Sequence, residues 1–318
     1  MSVALLIGLN YTGTNNNLKG CINDCILIQK MLIDQYGFKL SDIVFMRDDI
    51  YKNNHALYPS KKNIITQLTN QITKANKNKS NVYLHFSGHG SNIRDTNGDE
   101  SDGFDEFIVP RDYFTNRNII SDDELNKIVQ NLNDNSQMLA IFDCCMSGTL
   151  LDLAFNYSLE GPNTFVTTQE NRKNILATKK NILCLSGCRD NEYSLDIQVG
   201  GIANGALTLG IFNVLKKYNW TIDLKNLVIN LYRYLKNNKY DSQRPLLSSN
   251  IQIDTSTINF LFKNNTIQPL TNVSSGKESQ TSMIELENTI LNYISKKLIT
   301  VEQLNQVVAN VIKKTNSK

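Results

Sequence analysis

Long apolar runs, zinc-type cysteine spacings, a basic stripe and a phosphate-binding glycine loop are all missing from this 318-residue chain. No apolar stretch approaches the roughly 20 residues that span a bilayer, and Met1–Asn10 shows neither a basic leader nor a small-residue cleavage site. A soluble, cytoplasmic protein without membrane partners is therefore expected. The net charge is only +3 and is spread out, without the Lys/Arg clusters and interleaved aromatics of a nucleic-acid surface. The six cysteines fall in three pairs, Cys21/Cys25, Cys144/Cys145 and Cys184/Cys188, spaced unlike zinc ribbons and too sparse for a disulfide scaffold. Reduced thiols are expected. No glycine-rich phosphate loop follows the first apolar segment, which disfavours a flavodoxin-like nucleotide site.

What is present is a strand–helix alternation. Val3–Leu9, Asp42–Met46, Asn81–Ser87, Met138–Asp143, Asn181–Leu185 and Arg244–Ser248 read as strands. Between them, helical spacing recurs: Cys25, Ile28 and Leu32, stopped by Gly37; Ile64, Leu68 and Ile72 behind a Ser60 cap; Leu125, Ile128 and Val129 behind a Ser121/Glu124 capping box. Two more helices follow near 204–217 and 221–236. This alternation predicts one α/β domain with a mostly parallel sheet flanked by helices. The polar stretch from about 156 to 180 reads as a surface loop or linker. Beyond a Ser/Thr/Asn-rich segment at 264–280, two amphipathic helices form a C-terminal hairpin.

The stretch Met138–Leu150 carries the chemistry. An apolar strand ends in Asp143, Cys144 and Cys145 and breaks at Ser147-Gly148, and in open α/β sheets function gathers at the carboxyl ends of strands. A nucleophilic thiol needs a base. His55 lies in a polar loop and His85 within a strand, where a core role is the plainer reading. His89 follows a strand end between two glycines. If the strands at 81–87 and 138–144 are parallel neighbours, His89 and the cysteines share one edge and a Cys–His dyad is possible; an idle loop histidine is the alternative.

Tyr83-Leu-His-Phe-Ser-Gly-His-Gly and Phe142-Asp-Cys-Cys-Met-Ser-Gly resemble the two catalytic motifs of metacaspases, caspase-like cysteine proteases. Leu5–Tyr11, Leu18–Asp24, Asp99–Asp105, Leu185–Asp190 and Arg244–Ser249 extend the likeness to about residue 250, leaving the tail outside it. The resemblance implies a caspase/hemoglobinase-like three-layer sandwich. It divides the chain into a large-subunit-like region (1–157), an inter-region loop (158–180), a small-subunit-like region of the same domain (181–263), and the linker and hairpin (264–318). It looks like a type I core without a prodomain.

By the same resemblance His89 is the base and Cys145 the nucleophile, with Cys144 turned towards packing. The oxyanion hole uses backbone N–H groups of Cys145 and Gly90, and a slot for Arg or Lys before the scissile bond is formed by Cys21, Asp24, Ser87 and Asp143. Residue by residue, Asp24 capping its helix and Asp143 merely accepting backbone hydrogen bonds are the plainer alternatives. Calcium ligands are implied at Asp105, Asp122, Asp123 and Asp152; Asp122 and Asp123 could equally be first-turn acids that favour a helix dipole. The segment Asp95–Glu106 has Glu100 where an EF-hand needs Gly, so a true EF-hand is not expected. The pairs Arg172-Lys173 and Lys179-Lys180 are candidate self-cleavage positions, protein or peptide substrates with Arg or Lys are the expected partners, and a monomer is expected. One departure stands out: Met146 occupies a position where the family usually has His. It is the feature favouring the rival reading, a catalytically impaired scaffold that binds protein partners.

Overall fold

The structure is a computed structural model that describes residues 2–96, 98, 103–145, 147–160, 164–170, 180–187, 196–199, 202–240 and 243–262. Met146, Arg172, Lys173, Lys179, Cys188 and the C-terminal hairpin lie outside the described residues. The chain divides into two units, Met1–Ile197 with Asn204–Asn265, and Gln198–Ala203 with Thr266–Lys318; the sheet and the candidate site belong to the first.

The strands are β1 (Val3–Gly8), β2 (Ile43–Arg47), β3 (Val82–Ser87), β4 (Gly90–Arg94), β5 (Phe104–Ile108), β6 (Ile120–Ser121), β7 (Gln137–Asp143), β8 (Phe155–Glu160), β9 (Thr164–Gln169), β10 (Asn181–Ser186), β11 (Asp196–Val199), β12 (Ile202–Gly205) and β13 (Leu246–Ser249). The α-helices are α1 (Cys21–Tyr36), α2 (Lys61–Asn78), α3 (Tyr113–Asn116), α4 (Asp122–Val129), α5 (Ala206–Lys217) and α6 (Leu224–Asn237). Eight strands form one sheet in the order β2-β1-β3-β7-β10-β13-β8-β9. The first five are parallel; β13, β8 and β9 add antiparallel neighbours.

Side-chain alternation separates two cores. Val3, Leu5 and Ile7 pack with Ile64, Leu68 and Ile72 of α2 and Leu125 and Val129 of α4. Ala4 and Leu6 face the other way, towards Cys25, Ile28 and Leu32 of α1, Leu207 and Ile211 of α5, and Leu224 and Leu227 of α6. The period of two in the strands thus builds the expected three layers. The expected helix punctuation is present as well. Gly37 ends α1 in the left-handed region at φ 70°, and Ser121 and Glu124 close a reciprocal capping box on α4.

The stretch at 156–180 differs from expectation. Instead of a loop throughout, β8 and β9 form an antiparallel hairpin that extends the sheet, so the inter-region boundary at 157–158 falls inside a strand. The cause is its position: Tyr157 and Leu159 are buried, whereas β9 is the outermost strand and keeps its Thr and Gln side chains largely in water. A half-solvated edge strand carries too little apolar signal to stand out from a loop.

The chain connections open a crevice. β1 leads into α1 on one face, whereas neighbouring β3 leads by way of β4–β6 into α4 on the other. Adjacent strands whose exits part to opposite faces form a topological switch point, the usual place for a site in an α/β sheet. Away from that crevice, Asp223 caps α6 by accepting from Asn226 N at 2.9 Å and Asn226 Nδ2 at 2.7 Å. Asp223→Ala is expected to cost about 1 kcal/mol in urea unfolding and to leave the site unaltered; an unchanged midpoint would show that the cap contributes nothing.

Candidate active site

β3 and β7 are parallel neighbours, with Ser87 opposite Asp143. His89 and Cys145 each stand two residues past that pair, at equivalent positions beyond the carboxyl ends of adjacent strands. The condition on which a dyad depended is therefore met. Both residues are partly exposed, whereas Cys144 is fully buried in the α2/α4-side core. The expected division between a packed first cysteine and an accessible second one matches these exposures.

The imidazole of His89 is held from behind. Its Nε2 lies 2.7 Å from the carbonyl oxygen of Asn16. A carbonyl only accepts, so in the neutral ring Nε2 carries the proton and Nδ1 keeps its lone pair. Nδ1 is thus the nitrogen available as a base. His85, by contrast, is fully buried on β3, and burial pushes its pKa down to about 3. It is a neutral core histidine whose Nε2 is 3.4 Å from Thr208 Oγ1.

Gly90 opens β4 opposite Ile108 of β5. The bond from Val109 N to His89 O flanks this pair, which makes it a non-hydrogen-bonded one, so the Gly90 N–H is directed away from β5. A Cβ at residue 90 would lie 2.3 Å from the Cys145 carbonyl oxygen. Only glycine lets the cysteine loop approach this closely.

On the α1/α5 side of the same edge, two carboxylates are buried together. Asp24 is 0% exposed and Asp143 3%. Asp24 accepts from Ser87 Oγ at 2.7 Å, Asn204 Nδ2 at 3.0 Å and Gly205 N at 2.9 Å. Asp143 accepts from Thr208 N at 2.8 Å and Thr208 Oγ1 at 2.7 Å. Gly205 and Thr208 are the N-cap and third residue of α5, whose N-cap has no capping side chain of its own. Two acids from distant segments therefore serve the N-terminus of α5, and its dipole and N–H groups hold negative charge in a buried place. Asp24 does not cap its own helix. Asp143 does accept a backbone bond, but as part of this pair. Ser87 donates to Asp24. Cys21, the first residue of α1, is buried nearby in the chain at 6% exposure.

Asp24, Ser87 and Asp143 are thus brought together, and their partners Asn204, Gly205 and Thr208 were not foreseen. Thr208 sits in the first turn of a predicted helix, a position suited to receiving an outside acid, but its partner is 65 residues away.

A second acidic group lies at the start of α4. Carboxylate oxygens of Asp122, Asp123 and Asp152 fall within 4.8 Å of one another. Calcium–oxygen distances of about 2.3–2.6 Å let one ion bridge oxygens at such separations. Asp122 accepts from Glu106 N at 2.5 Å and Asp123 N at 2.7 Å. Burial pushes its pKa up to about 7, with the charges of Asp105 and Asp123 adding to the rise. Three of the four expected positions therefore gather in one place, with Asp105 bearing on it through its charge on Asp122, and the oxygen donors of Asp122, Asp123 and Asp152 suit a hard divalent cation. The helix-dipole reading explains Asp122 and Asp123 but not Asp152, which arrives from the cysteine loop with a left-handed φ of 48°. The flanks of the Asp95–Glu106 segment are β4 and β5, not the two helices of an EF-hand.

Burial, then the charge of Asp143, raises Asp24 from its ordinary 3.8 to about 8. Between these values the folded protein holds a proton that the unfolded chain releases, so rising pH favours unfolding across that window. The urea midpoint of the cation-free protein is expected to fall between about pH 4 and 8, and Asp24→Asn to flatten the slope. An equal slope in the variant would contradict the raised pKa of Asp24.

A family model described as the metacaspase, peptidase C14 domain, matches residues 3–154. Metacaspase-1 of Schizosaccharomyces pombe is 34% identical over 294 residues, covering 79% of this chain and 68% of that protein. Metacaspase-1B of Aspergillus fumigatus is 32% identical, covering 81% and 71%. Metacaspase-1 of Cryptococcus neoformans is 33% identical over 80% of this chain, which spans 64% of that relative's length. A crystal structure of a Geobacter sulfurreducens protein shares the fold with a TM-score of 0.54 at 21% identity, covering 79% of this chain and 94% of that one. Sheet order, strand-end chemistry and these likenesses lead to one assignment: the chain belongs to the metacaspase family of C14 peptidases, with its caspase-like α/β fold.

Proposed function

We propose that this protein is a cysteine endopeptidase that cuts after Arg or Lys, using Cys145 as nucleophile and His89 as base. The observation that carries the reading is the buried Asp24/Asp143 pair on the strand edge that also bears His89 and Cys145. Two carboxylates at a helix N-terminus, with Asp24 holding a proton near neutral pH, complement a guanidinium or ammonium group. A cationic side chain would release that proton and complete the pair. An acidic substrate side chain would meet repulsion instead.

In this mechanism His89 Nδ1 takes the thiol proton of Cys145, and the thiolate attacks the scissile carbonyl carbon. The oxyanion accepts from the N–H groups of Cys145 and Gly90. The intermediate collapses, the C–N bond breaks, and His89 returns the proton to the leaving amine. His89 then deprotonates a water molecule, which attacks the thioester. The carboxylate product leaves and the thiol is restored. The Asn16 carbonyl supports both half-reactions by keeping the proton on Nε2.

Calcium is the proposed activator, held by Asp105, Asp122, Asp123 and Asp152. Held there, the ion would supply charge that neutralises the clustered carboxylates. Asp152 follows the cysteine loop, and Asn126 of α4 donates to the neighbouring Leu151 carbonyl at 2.7 Å, so this cluster and the nucleophile's segment are joined. Self-processing is proposed at Arg172, Lys173, Lys179 or Lys180. Lys180 begins the approach to β10 and pairs with Asp134 at 3.0 Å.

A fluorogenic peptide ending in Arg should be hydrolysed with calcium present, and Cys145→Ala and His89→Ala should each lower kcat by at least about 100-fold. Turnover that survives Cys145→Ala would reject the nucleophile, and no turnover under any condition would favour a protein-binding scaffold. Intact mass after calcium incubation should show cleavage in wild type but not in pure Cys145→Ala. Saturating calcium, at about 100 times its Kd, should stabilise the protein by about 2.7 kcal/mol. Asp152→Asn should weaken calorimetrically measured calcium binding at least about tenfold, and equal affinity would remove Asp152 from the site.

A further inference from the structure

Tyr11 is fully buried three residues past β1, yet its backbone is left-handed at φ 50°. An aromatic residue held in this region carries strain that the surrounding structure must sustain. Here the surroundings do so on every side. Thr14 N and Thr14 Oγ1 both donate to the Tyr11 carbonyl, at 3.1 and 2.8 Å. Asp48 accepts from the N–H groups of Asn10 at 2.9 Å and Thr12 at 3.3 Å, and Arg111 meets Asp48 at 3.4 Å while donating to the Thr12 carbonyl at 3.0 Å. The residues before and after Tyr11 are therefore pinned to a partly buried ion pair.

The side chain of Tyr11 spends this strain on His89. Its ring stacks on the imidazole, with centroids 4.7 Å apart and planes 26° from parallel. Its hydroxyl accepts from the His89 backbone N–H at 2.8 Å and donates to the Val109 carbonyl at 2.7 Å. A Cβ at residue 88 would stand 2.7 Å from that hydroxyl, so Gly88 is what admits it. Burial raises the phenol well above its ordinary pKa of 10.0, so it remains a donor throughout the working range. The same loop delivers the Asn16 carbonyl to Nε2.

We infer that Tyr11 is a positioning residue for His89: ring stacking and the hydroxyl clamp orient the imidazole so that Nε2 stays on the Asn16 carbonyl and Nδ1 faces the reaction. The inference rests on His89 being the base. A ring free to turn about its χ angles would spend part of its time with the wrong nitrogen forward, and the cost would appear in the chemical step and not in substrate binding.

The full chain is tested as wild type, Tyr11→Phe, Tyr11→Leu and His89→Ala. Tyr11→Phe keeps the stacking and loses the hydroxyl clamp; kcat on the Arg-ended peptide should fall about tenfold with KM within about twofold. Tyr11→Leu loses both and should fall about 100-fold. In a Cys145→Ala background, imidazole 15N NMR should show His89 protonated on Nε2, and the tautomer populations should become mixed in the Tyr11 variants. Dispersed amide spectra establish that each variant is folded, and if Tyr11→Leu is not, Tyr11→Phe alone decides. Wild-type kcat and an unmixed tautomer in Tyr11→Phe and Tyr11→Leu would overturn the inference. Full activity in His89→Ala would instead overturn the base assignment, which separates the two failures.

Discussion

The parallel pairing of β3 with β7 is the constraint on which the site depends. Its register sets Ser87 beside Asp143 and therefore carries His89 and Cys145 out of the sheet at matching heights. A slip of β7 by one residue would turn its side chains to the opposite face. Asp143 would then point at the α2/α4 core, away from Asp24, and the apolar Phe142 would take its place. Burial on both faces makes that slip prohibitively costly. The hydrophobic alternation that drives folding thus also specifies which residues meet at the edge.

Charge is handled by helix termini. Two acids would not coexist in a buried place on hydrogen bonds from side chains alone, because desolvation and mutual repulsion both favour protonation. The N-terminus of α5 supplies N–H groups to both, and each acid makes good an orphan donor that Gly205 leaves uncapped. Stability and electrostatics are thereby linked. The arrangement that satisfies α5 also gathers two acids on the strand edge that bears Cys145. The acids around α4 follow similar logic, with charge gathered where a helix begins and an additional carboxylate delivered by the cysteine loop.

Much of this was legible in the chain. Continuous apolar runs ending in Asp143 and Ser87 announced buried parallel strands, and Ser60, Ser121/Glu124 and Gly37 marked helix ends through chemistry local to each. The β8–β9 hairpin was not legible, because an edge strand half in water keeps polar residues that weaken its period. Nor were the contacts of Thr208, Asn204 and Tyr11. Tyr11 meets His89 across 78 positions and Asn204 meets Asp24 across 180, and no local spacing reports contacts that only the sheet order creates. For Tyr11 the available signals were its place at the end of the Leu5–Tyr11 match and its position three residues past a strand end at the switch point. The candidate catalytic residues stand in recognisable motifs, whereas their contacts come from segments far apart along the chain.

The central claim joins one thiol, one base and one acidic pair at a single edge. Covalent capture tests all three at once: a peptide ending in an Arg-derived electrophilic ketone is incubated with the protein and calcium, and the adduct is located by peptide mapping. Expected is a single adduct on Cys145, formed far more slowly in His89→Ala and lost in favour of no label at all when Asp143→Asn meets the Arg peptide. Labelling of a different cysteine, or equal labelling by a peptide ending in Leu or Asp, would contradict the assignment of nucleophile or pocket.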